Sequence, residues 1–304
     1  MTLDLSVIIA NWNTRDLLAQ CIESVYRTVV GISFEIIVVD NASADGSADR
    51  VRERFPQVRL LQNRENVGFA RANNQAAVAS KGRYLLLLNS DAVLQGGAVQ
   101  ALLDLAKTQP HAGVAGAQLR NLDGSFQASH SPFPTLWREI LILSGLGRWL
   151  FGRQYPSHGP DENRGPQEVD YVEGACLLVR HEAYTAVGGL DEGYFMYAED
   201  VDLCRTMCQQ GWQVWYQPTA VVTHLGGGSS ASRRPEREAD LYASRVRFFR
   251  KHYGPFAAWL LVTLILGATA TKTVVHGMLR SVSRGRYGRQ VVTLRQLVGK
   301  LRGA

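Results

Sequence analysis

Residues 5–13 read LSVIIANWN, an apolar run that stops abruptly at a polar tripeptide. Three more short apolar runs follow, at residues 34–39, 58–61 and 84–88. They lack polar alternation, which is typical of strands covered on both faces of a parallel sheet. Stretches with apolar residues at helical spacing separate them, at residues 16–28, 44–54 and 69–80. This repetition predicts an open α/β sheet with right-handed crossovers.

Polar side chains follow three of these four predicted strands. Asn11 and Asn13 come after the first, Asp40 after the second, and Asn89 and Asp91 after the fourth. Ligands of open α/β sheets bind beyond the carboxyl ends of the strands. Any one of these residues could instead cap the helix that follows, as Asp and Asn often do. Their occurrence at three strand ends favours a binding site.

The usual phosphate-binding motifs are missing from the chain. No G-x-G-x-x-G follows the first strand and no G-x-x-x-x-G-K-[ST] occurs, which argues against a nicotinamide-dinucleotide or P-loop site. A strand-end acid such as Asp91 suits Mg²⁺ or Mn²⁺, which also bind phosphate oxygens. His224 could be a second ligand or an ordinary hydrogen-bonding residue. Arg71 could contact phosphate or lie on a solvated helix face.

A second acidic group opens a predicted helix that runs to about residue 210. It consists of Glu199, Asp200 and Asp202. A carboxylate at this place could act as a general base. Acids also favour the first turn of a helix because they interact well with its dipole. The residue pattern alone leaves both interpretations open.

Taken in order, these segments resemble the family 2 glycosyltransferases, in particular their rhamnosyltransferase-like branch. The similarity covers roughly residues 4–230 and rests on the segments at residues 6–13, 38–43, 66–73, 87–91 and 189–200, and on His224. The resemblance implies the GT-A fold, a Rossmann-like mixed sheet with helices on both faces, in a catalytic domain of residues 1–240. A helical, membrane-associating tail of residues 241–304 would follow.

The resemblance also implies roles for single residues. Asp40 would contact the base and Arg71 the diphosphate of the donor, Asp91 and His224 would bind Mg²⁺ or Mn²⁺, and Asp200 would be the catalytic base with Glu199 beside it. The full set expected at the donor is Asn11, Asn13, Asp40, Asn66, Arg71 and Asn89. Asn89 departs from the family pattern, since many members have the first acid of a D-x-D motif there.

The implied activity is that of an inverting, metal-dependent hexosyltransferase of cell-wall polysaccharide biosynthesis. It would move one sugar, L-rhamnose from dTDP-rhamnose or a sugar from another dTDP or UDP donor, to a glycan or polyprenyl-linked acceptor. The Q-x-x-R-W motif of processive synthases is absent after Asp200, which favours one sugar per encounter. A sugar nucleotidyltransferase and a catalytically inactive nucleotide-binding scaffold at the membrane are the alternatives.

The charge of the chain is strongly asymmetric. Residues 241–304 contain 12 Lys and Arg and no acid, whereas residues 1–240 contain 21 Lys and Arg and all 27 acids. No zinc pattern, RNP-like motif or helix-turn-helix signature accompanies the basic residues, so lipid is a better partner than nucleic acid. Residues 254–271 carry no charge and would form a helix of about 27 Å, just short of the roughly 30 Å of a hydrocarbon core. We expect this helix to lie in the membrane interface, with a span or a core or oligomer helix as alternatives.

The middle of the chain is less regular. An apolar stretch at residues 136–151 could receive a lipid-linked acceptor or form a core or dimer face, and a strand is predicted at residues 169–179. The four cysteines, Cys21, Cys176, Cys204 and Cys208, suit neither a disulfide framework nor a zinc site and are expected in the core. No signal-peptide pattern is seen at the N-terminus. We therefore expect a cytoplasmic protein, peripheral on the inner face of the cell membrane.

Overall fold

The computed structural model describes residues 3–157, 165–226, 234–282 and 294–301. In chain order, the elements are β1 (Leu3–Asn11), α1 (Arg15–Thr28), β2 (Phe34–Asp40), α2 (Ser47–Arg54), β3 (Arg59–Gln62), α3 (Phe69–Ala79), β4 (Gly82–Leu88), β5 (Ala92–Leu94), α4 (Ala98–Thr108), β6 (Ala112–Arg120), β7 (His130–Ser131), α5 (Leu136–Ser144), α6 (Leu146–Phe151), β8 (Gln167–Glu168), β9 (Tyr171–Val172), β10 (Cys176–Arg180), α7 (His181–Ala186), α8 (Glu199–Gln209), β11 (Gln213–His224), α9 (Arg234–Tyr253), α10 (Pro255–Val282) and α11 (Leu294–Leu301).

The chain divides into two compact units. The first comprises residues 1–133, 157–195 and 199–229, and the second comprises residues 134–156, 196–198 and 230–304. The division expected at residue 240 falls inside α9. The apolar stretch at residues 136–151 therefore belongs to the same unit as the C-terminal helices.

The first unit is built on a mixed sheet with the order β3-β2-β1-β4-β10-β6-β11-β5. Its first four strands in this order are parallel and are the four that the apolar runs predict. β10 lies antiparallel between β4 and β6, and β11 runs parallel to β6. This arrangement agrees with the mixed sheet that the family resemblance implies, whereas the residue pattern alone indicated only the parallel half.

Helices cover both faces of this sheet. Alternate residues of β1, such as Val7 and Ile9, belong to a core that also contains the buried residues of α1, α2 and α4. Ile8 between them is equally buried, and α3 packs against β1 and β2. Because successive side chains of a strand point to opposite faces, burial of every residue requires cover on both sides. That requirement is why the strands read as continuous apolar runs.

The prediction of one continuous strand at residues 169–179 is wrong, because the structure has two separate strands there. β9 pairs with β7 in a small separate sheet, and β10 joins the main sheet. Residues 173–175 carry the chain from one sheet to the other. The run looked continuous because both strands are buried, so hydropathy gives no sign of the break. Of the four cysteines, three are buried as expected, and Cys208 is exposed.

The second unit consists of helices. α5 and α9 both pack against α10, and Tyr253 Oη donates a hydrogen bond to the carbonyl of Pro134 at 2.9 Å. One face of α10 is buried and carries Ala258, Leu261, Ile265 and Thr269 at helical spacing. By length and composition, residues 255–275 of α10 are apolar enough to cross a membrane. The glycines at 227–228 and the basic residues between 283 and 293 lie outside the described residues.

Candidate active site

The ends of β1 and β2 form the first part of the site. The two strands pair in parallel with Asn11 opposite Asp40, which places their side chains together. Asn11 Nδ2 donates to Asp40 Oδ1 at 2.9 Å and to Ser43 Oγ at 3.1 Å. Asp40 Oδ2 accepts the backbone N–H of Ser43 at 3.1 Å. Both Asn11 and Asp40 are buried, so the carboxylate is held rigidly at the carboxyl edge of the sheet.

The turns after these strands are tied to each other. Asn13 Oδ1 accepts the backbone N–H of Ala44 at 2.8 Å, and the Asn13 N–H donates to Ser43 Oγ at 2.9 Å. Asn13 and Ala42 have φ values of 53° and 57°, in the left-handed region. Non-glycine residues persist there only where the surrounding structure holds them, often at functional sites. Ser43, which sequence reasoning did not select, joins the two turns.

Thr14 connects this region to the end of β4. Its hydroxyl donates to Asn11 Oδ1 at 2.6 Å and lies 2.8 Å from Ser90 Oγ. In the sequence, Ser90 stands between Asn89 and Asp91. Thr14 and Ser90 are both buried. Side-chain hydrogen bonds therefore join the segments that follow β1, β2 and β4. Sequence reasoning missed Thr14 because a threonine before a helix is usually a simple cap.

Asp91 and His224 form a pair. β11 runs antiparallel to β5 with His224 opposite Ala92, and the N–H of Leu225 donates to the carbonyl of Asp91 at 3.1 Å. As a result, His224 Nε2 lies 3.2 Å from Asp91 Oδ1, and the two side chains are 14% and 9% exposed. Asn89 Nδ2 lies 3.3 Å from the same ring nitrogen. The structure thus brings together two predicted metal ligands that are 133 residues apart in the sequence.

Gln127 orients the imidazole of His224. Its Oε1 lies 2.7 Å from His224 Nδ1, and its Nε2 donates to Asn121 Oδ1 at 3.2 Å, which fixes the direction of the amide. Because Oε1 can only accept, Nδ1 carries the proton. Nε2 is then the ring nitrogen that faces Asp91. Sequence reasoning missed Gln127, which lies in a segment without a recognisable pattern.

This donor set fits a divalent cation. Adjacent ligands of an octahedral ion at about 2.1 Å are roughly 3 Å apart, close to the separation of Asp91 Oδ1 and His224 Nε2. A cation between these two atoms would take the place of the contact between Asn89 Nδ2 and His224 Nε2. Among the described residues, no group of three or more His, Cys, Asp and Glu side chains could hold a metal ion. A cation bound here would need further ligands from a substrate or from water.

Asn66 lies just before α3 and Arg71 lies in its first turn. Both form hydrogen bonds that do not involve Asp40 or Asp91. Asn66 Oδ1 accepts the N–H of Gly68 at 3.0 Å, and Arg71 Nε donates to Glu192 Oε2 at 2.9 Å. The Arg71 side chain is 56% exposed. Arg71 therefore pairs with Glu192 and not with the groups around Asp40 or Asp91.

The carboxylate of Asp200 is held by two backbone N–H groups at the start of α8. Gly174 N donates to Oδ2 at 2.7 Å and Val201 N donates to Oδ1 at 2.8 Å. The neighbouring carbonyl of Ala175 accepts the N–H of Asn89 at 3.0 Å. The irregular segment between β9 and β10 thus contacts both Asp200 and the turn that carries Asp91.

Glu199 is in a different environment from Asp200. It is buried, and its Oε2 has no hydrogen-bond partner among the described residues. Burial, reinforced by the charge of Asp200, raises the pKa of Glu199. A carboxyl group in such a place keeps its proton at neutral pH. Asp200, whose carboxylate accepts two backbone N–H groups, is therefore the better candidate of the two for accepting a proton.

The sequence has a clear match among known families. The profile of glycosyl transferase family 2 matches residues 6–187. The N-acetylglucosaminyl-diphospho-decaprenol L-rhamnosyltransferase of Mycobacterium tuberculosis is 33% identical over 264 residues, which is 82% of this chain and 84% of the relative. The site residues of β1 to β5 all lie within the matched range.

Two solved structures share the fold. The mannosyltransferase PcManGT from Pyrobaculum calidifontis, in complex with GDP-Man and Mn²⁺, superposes with a TM-score of 0.57 at 16% identity and covers all of this chain and 86% of its own. GalNAc-T7, crystallised with UDP, GalNAc and Mn²⁺, gives a TM-score of 0.57 at 15% identity over 82% of this chain and 48% of its own. At this identity the likeness establishes the fold, and it confirms the predicted GT-A architecture.

Proposed function

This chain belongs to glycosyl transferase family 2 and is a glycosyltransferase, and we propose that it transfers L-rhamnose with inversion from a dTDP-linked donor to a polyprenyl-linked sugar. The substrates are inferred from the mycobacterial relative, whose name gives a diphospho-decaprenol acceptor and an L-rhamnosyl group. The product would enter the synthesis of a cell-envelope polysaccharide.

One observation carries the proposal. A continuous set of contacts runs from Asp40 through Asn11 and Thr14 to Ser90, and from Asn89 through residues 174–175 to Asp200. Asp40, the Asp91–His224 pair and Asp200 therefore lie on one connected framework, and we propose that they bind the nucleotide, bind the cation and accept the proton, respectively. Such pre-organisation is what a transferase needs to align donor and acceptor.

The donor would lie along the strand ends. The Asp40 carboxylate, held by Asn11 and Ser43, would accept hydrogen bonds from the base or the ribose. Asp91 and His224 would hold Mn²⁺ or Mg²⁺, which neutralises the charge that develops on the departing diphosphate. Arg71 would contact the diphosphate after giving up its ion pair with Glu192, and exposed ion pairs of this kind contribute little stability.

The chemical step would use Asp200 as the base. Asp200 takes the proton of an acceptor hydroxyl while the hydroxyl oxygen attacks the anomeric carbon from the face opposite the diphosphate. The bond between the anomeric carbon and the diphosphate oxygen breaks, and the configuration inverts. Two backbone N–H groups orient the carboxylate. Glu199 remains protonated and does not compete for the proton.

Membrane association would place the enzyme beside its acceptor. We infer that the C-terminal helices hold the protein on the inner face of the membrane, because α10 is long and apolar and residues 241–304 contain no acid. A polyprenyl-linked sugar would then reach the site by diffusion in the bilayer.

The test is transfer by the purified full chain from a panel of dTDP- and UDP-sugars to N-acetylglucosaminyl-diphospho-polyprenol, with Mn²⁺, with Mg²⁺ and with EDTA. We expect dTDP release and a rhamnosylated lipid from dTDP-L-rhamnose alone, lost in EDTA. Transfer from another donor would overturn the sugar assignment, and full activity in EDTA would overturn the cation site. Nucleotide binding without turnover of any donor would favour the inactive scaffold.

A further inference from the structure

The α5–α6 segment, residues 134–156 of the second unit, exposes an unusual number of large apolar side chains. Trp137 is 66% exposed, Trp149 79%, Leu150 53% and Phe151 64%. Tryptophan is on average a highly buried residue. A cluster of exposed aromatic residues therefore marks a surface that normally contacts something other than water.

The exposure is built into the segment. Gly147 is buried beneath Tyr155: a Cβ at position 147 would lie 2.4 Å from Tyr155 Cδ1. The rings of Tyr155 and Phe151 stack with their centroids 5.2 Å apart. α6 therefore packs inward through Gly147, the position where it has no side chain. Trp149 and Leu150, two and three residues after Gly147, extend into solvent.

The exposed charges within this segment are positive. Arg148 and Arg153 are exposed. The only acid in residues 134–156 is Glu139, which is buried and forms an ion pair with Arg245. Exposed aromatic side chains beside arginines, without an exposed acid, match the headgroup region of an anionic bilayer, where the rings insert and the cations meet lipid phosphates.

The segment is physically joined to the helix that composition marks as membrane-associating. α5 packs against α10, and Tyr253, just before α10, bonds to Pro134, just before α5. α10 itself exposes Phe256 at 70% and Trp259 at 59%. Two exposed aromatic groups, distant in sequence, thus belong to one compact unit.

We propose that the α5–α6 segment is a second membrane-binding element, which inserts Trp149, Leu150 and Phe151 into the interface of an anionic bilayer. This goes beyond anchoring by the C-terminal tail and does not depend on which sugar is transferred. A second copy of the chain is a poorer occupant. A symmetric contact through residues 134–156 would bring Arg148 and Arg153 of both copies together, and this segment has no exposed acid to pair with them.

The test is binding of the full chain to vesicles, measured by flotation. The variant W149E/F151E is compared with V78E/L122E, which places the same charges at positions in the first unit that are 90% and 73% exposed. On vesicles with about 30% anionic lipid, we expect the partition coefficient of W149E/F151E to fall roughly tenfold or more and that of V78E/L122E to change less than about twofold. Unchanged partitioning of W149E/F151E would overturn the proposal.

A second measurement does not rely on a disruptive variant. In a C208S background, which removes the exposed cysteine, Leu150→Cys and Val78→Cys are each labelled with an environment-sensitive fluorophore. Vesicles should shift the emission of the label at position 150 to the blue and leave that at position 78 unchanged. If vesicles do not shift the emission at position 150, membrane insertion is contradicted. A shift that appears without lipid and grows with protein concentration would also contradict insertion and would indicate self-association. Donor turnover in detergent should be equal in all variants, which separates this test from that of the transferase activity.

Discussion

His224 Nε2 lies 3.2 Å from Asp91 Oδ1, while the opposite ring nitrogen, Nδ1, lies 2.7 Å from Gln127 Oε1. The amide of Gln127 therefore decides which nitrogen of His224 faces the carboxylate. Residues that orient a metal-binding imidazole in this way usually matter almost as much as the ligands themselves. The relationship makes Gln127 a positioning residue for the proposed cation site.

We expect Gln127→Leu to raise the Mn²⁺ concentration needed for half-maximal donor turnover by roughly 10- to 100-fold. The maximal rate at saturating Mn²⁺ should fall much less, because Gln127 would act on the cation only through His224. A Mn²⁺ titration of turnover measures this. Gln100→Leu is the matched control, since the amide of Gln100 donates to Asp104 on the exposed face of α4. Equal Mn²⁺ requirements in Gln127→Leu and the wild type would contradict the positioning role.

Glu199 should make stability depend on pH. Burial raises its pKa in the folded chain to about 8, above the ordinary value of 4.5. Below pH 4.5 the carboxyl is protonated in both states, and as the pH rises towards 8 only the unfolded state gives up its proton. Unfolding therefore becomes more favourable with rising pH, by up to a few kcal/mol.

Glu199→Gln should remove this loss of stability. The unfolding free energy measured with urea should therefore differ less between pH 6 and pH 9 in the variant than in the wild type. Glu182→Gln serves as the control, because Glu182 is 70% exposed on α7. If wild type and Glu199→Gln lose the same stability between these pH values, Glu199 does not hold a proton in the folded state.

Gly68 should tolerate no side chain. Its φ is +87°, and an added Cβ would lie 2.6 Å from the carbonyl oxygen of Phe195. That carbonyl accepts the N–H of Phe69, which docks the residues before α8 onto α3. Gly124 has a similar φ of +79° with nothing within 4 Å of an added Cβ.

Gly124→Ala should therefore show the backbone strain alone, about 1 kcal/mol, and Gly68→Ala should lose at least about 2 kcal/mol more in unfolding free energy. Denaturant unfolding of both variants gives the comparison. Equal losses would mean that the contact between residue 68 and Phe195 is not tight in solution.

The sequence predicts the fold best for strands that are buried on both faces. Runs such as that at residues 34–39 are apolar because helices cover both sides, so hydropathy identifies the strands directly. The parallel register of β1 and β2 then brings Asn11 and Asp40 together, which the strand-end rule anticipates.

Other features depend on tertiary contacts that no local pattern records. Gln127 meets His224 only because the loop after β6 lies beside the end of β11, and Thr14 meets Ser90 only because β1 pairs with β4. The break between β9 and β10 was hidden for the same reason. Its contacts with Asn89 and Asp200 are made by the backbone of residues 174–175, which hydropathy does not record.

Asp200 is the proposed base of the sugar transfer, and Asp200→Asn tests this role. The change keeps the size of the side chain and removes its ability to take a proton. Asp202→Asn is the matched control, because Asp202 Oδ1 accepts the hydroxyl of Tyr194 and an amide oxygen can do the same.

The measurement is single-turnover transfer with saturating donor and acceptor, together with calorimetric binding of the nucleotide diphosphate. We predict that Asp200→Asn lowers the rate by roughly 10²- to 10⁴-fold with nucleotide affinity unchanged, and that Asp202→Asn stays within about tenfold of the wild-type rate. Near-normal transfer by Asp200→Asn would contradict the account, and another group would then have to accept the proton.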